Sequence, residues 1–187
     1  MQDNRAKIFK MSRVLKILFI IAAIGLPLLD AGFWITNGYP FLEPCIAWQA
    51  IPSIESAHIP PLARMDSTIK LLGFLISLIP TTFNSYAFLL LARLFAKFER
   101  MEFFSQSSVK CIHNIGFCLL LNQLIYPVYI GMMSLALTFT NPPGMRNISI
   151  AFGSPQLHLT VIALAILLVS WVMEEGRKIH DEHTATI

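Results

Sequence analysis

Three amides and one acid stand where an apolar sequence gives them no water: Asn84, Asn122 and Gln123, with Asp30 nearer a run's end. At 1.5 Å of rise per helical residue, Asn84 lies ~14 Å from the inner end of its run, and Asn122 and Gln123 ~18–20 Å from the inner end of theirs. Those depths are close enough for a hydrogen bond across a helix pair. Intramembrane polar groups either join helices, at ~0.6 kcal/mol each, or line a substrate or ion path. Amides cannot relay a proton at neutral pH, so proton chemistry would fall to Asp30. That acid is expected toward the outer surface, reaching headgroup water or pairing with Lys70, with a proton-linked site as the sharper alternative.

A second candidate is the charged stretch 93–110. Leu94, Phe95, Phe98, Met101, Phe103 and Phe104 alternate with Arg93, Lys97, Glu99, Arg100 and Glu102. Arg93, Lys97, Phe98, Arg100, Glu102 and Phe104 form a basic, aromatic surface suited to docking a partner. Ser105 has the character of a helix N-cap, with Phe104 and Val109 in the positions of a hydrophobic staple. Glu174 and Glu175 are expected to meet Arg93, Lys97 or Arg100.

Metal and covalent chemistry find little footing. His113 and His158 fall near opposite ends of their runs, His180 and His183 sit in a charged tail, and Cys45, Cys111 and Cys118 have no CxxC spacing. Neither a P-loop nor a dinucleotide glycine pattern is present, and a GxSxG elbow is missing. An enzyme is disfavoured and no cofactor is implied.

The elements that hold these residues follow from composition. Of 187 residues 55% are hydrophobic and 13% charged, against about 25% charged in a soluble domain. Four long apolar runs each frame the roughly 20 residues that a ~30 Å hydrocarbon core demands. Backbone exposed to lipid must satisfy its own amides, so each crossing is a helix. The class is all-α: a polytopic four-helix transmembrane bundle, with spans at about 14–35, 67–93, 110–138 and 156–174. Residues 36–66 and 139–155 are the outer loops, 94–109 the inner loop and 175–187 a cytoplasmic tail. Five prolines and many apolar residues in the first outer loop suggest a segment folded over the bundle's outer mouth. Pro80 predicts a kink in span two, Asp66 is a candidate cap for its first turn, and Gly73 with Ser77 makes a small-xxx-small pair.

Orientation comes from charge. Arg5, Lys7, Lys10, Arg13, Lys16, Arg93, Lys97, Arg100, Lys110, Arg177 and Lys178 gather at alternate ends of the runs, leaving Arg64, Lys70 and Arg146 opposite. Lys and Arg beside a span favour the cytoplasm, which puts both termini inside. The first run is read as a retained anchor rather than a cleaved leader, since no small-x-small site is evident. An inner basic excess suits anionic lipid and does not point to nucleic acid.

Two stretches resemble a bacterial four-span membrane-protein family known only as a domain of unknown function. One is Leu94-Phe95-Ala96-Lys97-Phe98-Glu99-Arg100-Met101-Glu102-Phe103-Phe104-Ser105, followed by Val109–Gly116; the other is Val172-Met173-Glu174-Glu175-Gly176-Arg177 with its acidic tail. Met101 stands where the family usually has Gly, so a less tight turn is expected. Members are often encoded beside small helix-turn-helix regulators, which implies a membrane-linked regulatory role in the bacterial inner membrane. The expected function is a non-enzymatic regulatory or accessory component that docks a cytoplasmic or membrane partner. The alternative is a small transporter or channel subunit, which needs a homo-oligomer to enclose a path past the amides.

Overall fold

A computed structural model of the chain describes residues 2–36, 65–102, 105–142, 146, 148–150 and 152–185, with side chains between Lys7 and Ile179. It contains four helices: α1 (Gln2–Thr36), α2 (Ser67–Glu99), α3 (Gln106–Thr138) and α4 (Ser154–Ala185). All four are long and apolar enough to cross a membrane, as the apolar runs require, and the chain is a multi-pass membrane protein. Each helix exceeds the hydrocarbon core, since 32 to 35 residues make roughly 50 Å against ~30 Å. The excess carries the charged ends into water. α1 begins twelve residues before the expected Val14, because good helix formers and no breaker fill Gln2–Arg13. α4 likewise continues through the tail to Ala185. Helix runs unbroken through Pro27, Pro80 and Pro127.

Sequence neighbours are packing neighbours: α1 lies on α2, α2 on α3 and α3 on α4. α3 is the central helix, with Tyr129, Ile130, Met133 and Leu137 at 2% exposure or less. α1 and α4 present Ile17, Ile21, Ile24, Leu28, Leu164, Leu168, Val169 and Trp171 outward, a lipid-facing composition. Two cores form. Phe33 and Trp34 of α1 meet Ile69 of α2 and Tyr126, Tyr129, Ile130, Met133 and Leu137 of α3 near the C-terminal ends of α1 and α3. Leu90, Leu94, Cys111 and Ile115 close the α2–α3 pair at the end that holds its connecting turn.

Small residues set the close approaches. Ile69, Gly73, Ser77 and Thr81 are buried at four-residue spacing on α2, and Gly73 seats the Trp34 indole. A Cβ added at Gly73 would overlap that ring. Gly116 plays the same part between α3 and α4, where a Cβ would stand 2.9 Å from Leu167 Cγ.

The α2–α3 turn is tight. The Met101 N–H donates to the Phe98 carbonyl at 3.0 Å and the Glu102 N–H to that of Lys97 at 3.1 Å, the paired bonds of a Schellman cap. Met101 holds its left-handed position with φ of 62°, so a methionine makes the turn for which glycine is preferred. The expected loosening does not occur. Ser105 caps α3, accepting from the Ser108 N–H; Phe104, the other half of the expected staple with Val109, lies outside the described residues. Asp66 takes the N-cap backbone conformation of α2 but makes no side-chain cap bond.

Two substitutions test this packing by thermal unfolding of the purified chain in detergent. Gly73→Ala should lower stability by about 1–3 kcal/mol through the overpacked Trp34. Met101→Gly should raise it by about 1 kcal/mol, by removing the left-handed Cβ penalty.

Candidate functional site

The ends of α2 and α3 that flank their connecting turn build the first site. Arg93 and Lys97, one helical turn apart on α2, face Gln106, Ser107, Lys110 and Asn114 of α3 across a groove of about 370 Å³. Tyr86 and Leu90 line its deeper part. Lys97 crosses the gap: its Nζ donates to the Ser107 carbonyl at 2.6 Å, to Ser107 Oγ, and contacts Cys111 Sγ at 3.4 Å. The turn above is cross-braced as well, with Ser108 Oγ donating to the Glu102 carbonyl at 2.6 Å. Among the described residues no carboxylate lies within ion-pair distance of Arg93, Lys97 or Lys110.

The acids have other partners. Glu174 pairs with Arg177 at 3.0 Å and Glu175 with Lys178 at 3.2 Å, both one turn along α4 itself. The expected bridges from Glu174 and Glu175 to Arg93, Lys97 or Arg100 are replaced by these local pairs, because residues three apart on one helix already adjoin. Glu99 instead ties α1 to the end of α2, accepting from Arg13 Nε at 3.0 Å and Lys16 Nζ at 2.5 Å. Glu99 lies beyond the span proper, and the bonds from Lys16 and then Arg13 hold its carboxyl below the ordinary glutamate value. This clasp is intact at neutral pH and comes apart only as pH falls through that lowered value.

The other proposed docking residues divide. Arg100 and Glu102 are exposed on the turn with Met101. Phe98 packs against the inner core and edge-on to Phe95 at 5.8 Å, so it supports the turn from within. Phe104 lies outside the described residues.

Deeper in the bundle, Asn122 Nδ2 donates to Asn84 Oδ1 at 3.2 Å, the α2–α3 bond that their matching depths suggested. Gln123 turns to the buried face of α3 at 6% exposure. The histidines separate as expected, with His113 Nδ1 bonded to Ser170 Oγ at 3.2 Å between α3 and α4 and His158 at the start of α4 bonded to the Ser154 carbonyl.

Asp30 differs from its expected place. It is 1% exposed, and its Oδ2 accepts from Ser77 Oγ at 2.8 Å and Thr81 Oγ1 at 3.2 Å. Trp34 Nε1 donates to the same Ser77 Oγ at 3.1 Å. The acid therefore belongs to an α1–α2 network of hydroxyls rather than to headgroup water or Lys70. Its Oδ1 is buried without a hydrogen-bond partner among the described residues. Ser77 was visible in the sequence only as a small residue; its place beside Thr81, one turn further along α2, is the signal that a buried acid on a neighbouring helix has acceptable donors.

Comparison with known protein families finds a match. A profile of the family described as "Protein of unknown function (DUF2975)" covers residues 34–187, which takes in α2, α3 and α4 and leaves most of α1 outside. The chain belongs to that family. Neither the curated proteins nor the solved structures contain a match.

The Asp30 network predicts an ordered series. Asp30→Ala, which removes the shared acceptor, should lower stability by about 1–2 kcal/mol, the sum of two or three interhelical bonds. Asp30→Asn keeps an acceptor oxygen and should lose less than half as much. Thermal unfolding in detergent reads the order; an Ala variant as stable as the parent would contradict it.

Proposed function

We propose that this member of the family is a bacterial inner-membrane protein with both termini in the cytoplasm, acting as a non-enzymatic regulatory or accessory component. The orientation rests on cation placement: the inner ends of the four helices carry eleven of the fourteen Lys and Arg, and such residues favour the cytoplasmic side. A cytoplasmic partner docks on the turn between α2 and α3. The observation that supports this is the turn's construction. Its backbone is held by the Schellman bonds of Met101 and Glu102, by the Ser108–Glu102 bond and by the Lys97 strap, while Arg100, Met101 and Glu102 stand exposed. A preorganised turn presents its side chains without an ordering cost on binding, and exposed residues on such loops are where recognition concentrates.

The Asn84–Asn122 bond also bears on the alternative. Both amides engage each other across α2 and α3, which suits helix joining better than a path that needs them free for a solute.

Photocrosslinkers placed at Arg100 and at Glu102 in intact cells test the docking role. A discrete protein adduct at both positions, absent when the probe sits at Arg146, is the expected result. Adducts to lipid alone, or the same pattern at Arg146, would overturn it.

A further inference from the structure

The groove beneath the turn has a composition that partner docking does not account for. Its cations lie at one level and its apolar wall at another. From Arg93, Leu90 is ~4.5 Å and Tyr86 ~10 Å further into the bilayer along α2, and both line the same groove as Arg93 and Lys110. Leu90 is 2% exposed and forms the floor, whereas Tyr86 is 45% exposed and forms an open edge. Across from them, Gln106, Ser107 and Asn114 supply neutral hydrogen-bonding groups beside Lys110.

Charge balance makes the groove incomplete as it stands. Lys97 is already engaged with Ser107, so Arg93 and Lys110 are the cations that face the opening. No described carboxylate pairs with either of them. Glu174 of α4 lies near enough to feel the Lys110 charge, but its carboxylate is bonded to Arg177 at 3.0 Å. Both cations are exposed where the helices leave the apolar stretch, and an anionic headgroup there gains about 1 kcal/mol from each of them.

We infer that the α2–α3 groove is a binding site for an anionic phospholipid, with its phosphate held by Arg93 and Lys110 and an acyl chain lying over Leu90 and Tyr86. Arg93 grips the phosphate through its planar fork of donors, and Lys110 adds a mobile ammonium. Gln106 and Asn114 reach the polar part of the headgroup. The apolar lower half distinguishes the lipid from free phosphate, which would leave Tyr86 and Leu90 without a role. An acidic peptide would likewise have to enter hydrocarbon. Bound lipid also fixes the hairpin from its open side, complementing the Lys97 strap, and it does so whether or not a protein partner docks on the turn.

Native mass spectrometry of the full chain, released from vesicles of equimolar phosphatidylglycerol and phosphatidylcholine, tests the assignment. The parent chain should retain phosphatidylglycerol in preference to phosphatidylcholine. Arg93→Gln with Lys110→Gln should reduce that preference about thirtyfold, as expected when two cations that each contribute about 1 kcal/mol toward anionic lipid are removed. Lys10→Gln, which removes an exposed cation of α1 outside the groove, should leave it unchanged. Millimolar inorganic phosphate should not displace the lipid; displacement would assign the site to free phosphate and overturn the lipid reading. Equal retention of both lipids by the parent, or an unchanged preference in the double variant, would also overturn it. Should the double variant fail to fold, photoactivatable phosphatidylglycerol on the parent chain decides: labelling within residues 86–114 supports the site, and labelling confined to other segments refutes it.

Discussion

Water is missing along most of the length of these helices, and that constraint organises the rest. A backbone that cannot bond to solvent must bond to itself, which fixes four long helices. Every side chain that could bond to solvent must then find a partner inside the protein or reach an aqueous end. Asp30, Ser77, Thr81 and Trp34 do the first as a connected set. Asn84 and Asn122 do it as a pair. Arg13, Lys16 and Glu99 do the second, gathering where α1 and α2 pass beyond the apolar stretch. Association of the helices owes little to hydrophobicity in such a solvent and depends on close packing, which is why Gly73 under Trp34 and Gly116 under Leu167 matter more than bulk.

From that constraint follows an unequal division of labour among the four helices. α2 and α3 form a hairpin whose short, braced turn sets their register. α1 joins this hairpin by polar bonds in its C-terminal half, by stacking of Phe19 on Phe88 and Phe95, and by the Glu99 clasp in its N-terminal half. α4 is attached by a narrow strip, Gln156, Ala163, Leu167 and Ser170, and offers the rest of its surface to lipid. The inner half of the hairpin is thus the most rigidly specified part of the surface that also carries charge. Both the proposed partner face and the lipid groove lie there.

How much of this was legible in the sequence depended on loop length. Few residues separate α2 from α3, so residues equally far from that connection in the chain face one another: Lys97 meets Ser107, Leu90 packs near Ile115, and Asn84 bonds to Asn122. The amide pair could be foreseen from depth alone, and the same reckoning would have set Arg93 opposite Lys110. Between α1 and α2 the connection is long, and a long connection leaves register free. Nothing in the sequence therefore said that Asp30 would meet Ser77 and Thr81, or that Glu99 would reach back to Arg13 and Lys16. Glu174 and Glu175 illustrate a different loss: a partner three residues away on the same helix is available before any tertiary contact forms. The left-handed Met101 was masked by residue type, since methionine gives no hint of positive φ. Function was least legible of all, because the sequence carries no motif of a recognisable reaction.

The claim beneath everything else is that these helices cross a bilayer with their cationic ends on one face. Impermeant-maleimide labelling of sealed vesicles of known sidedness tests it, using Glu102→Cys and Asn141→Cys in a chain carrying Cys45→Ser. The account predicts that position 141 is labelled from the periplasmic side and that position 102 is labelled only after the vesicles are opened. Labelling of both positions from the same side would contradict it.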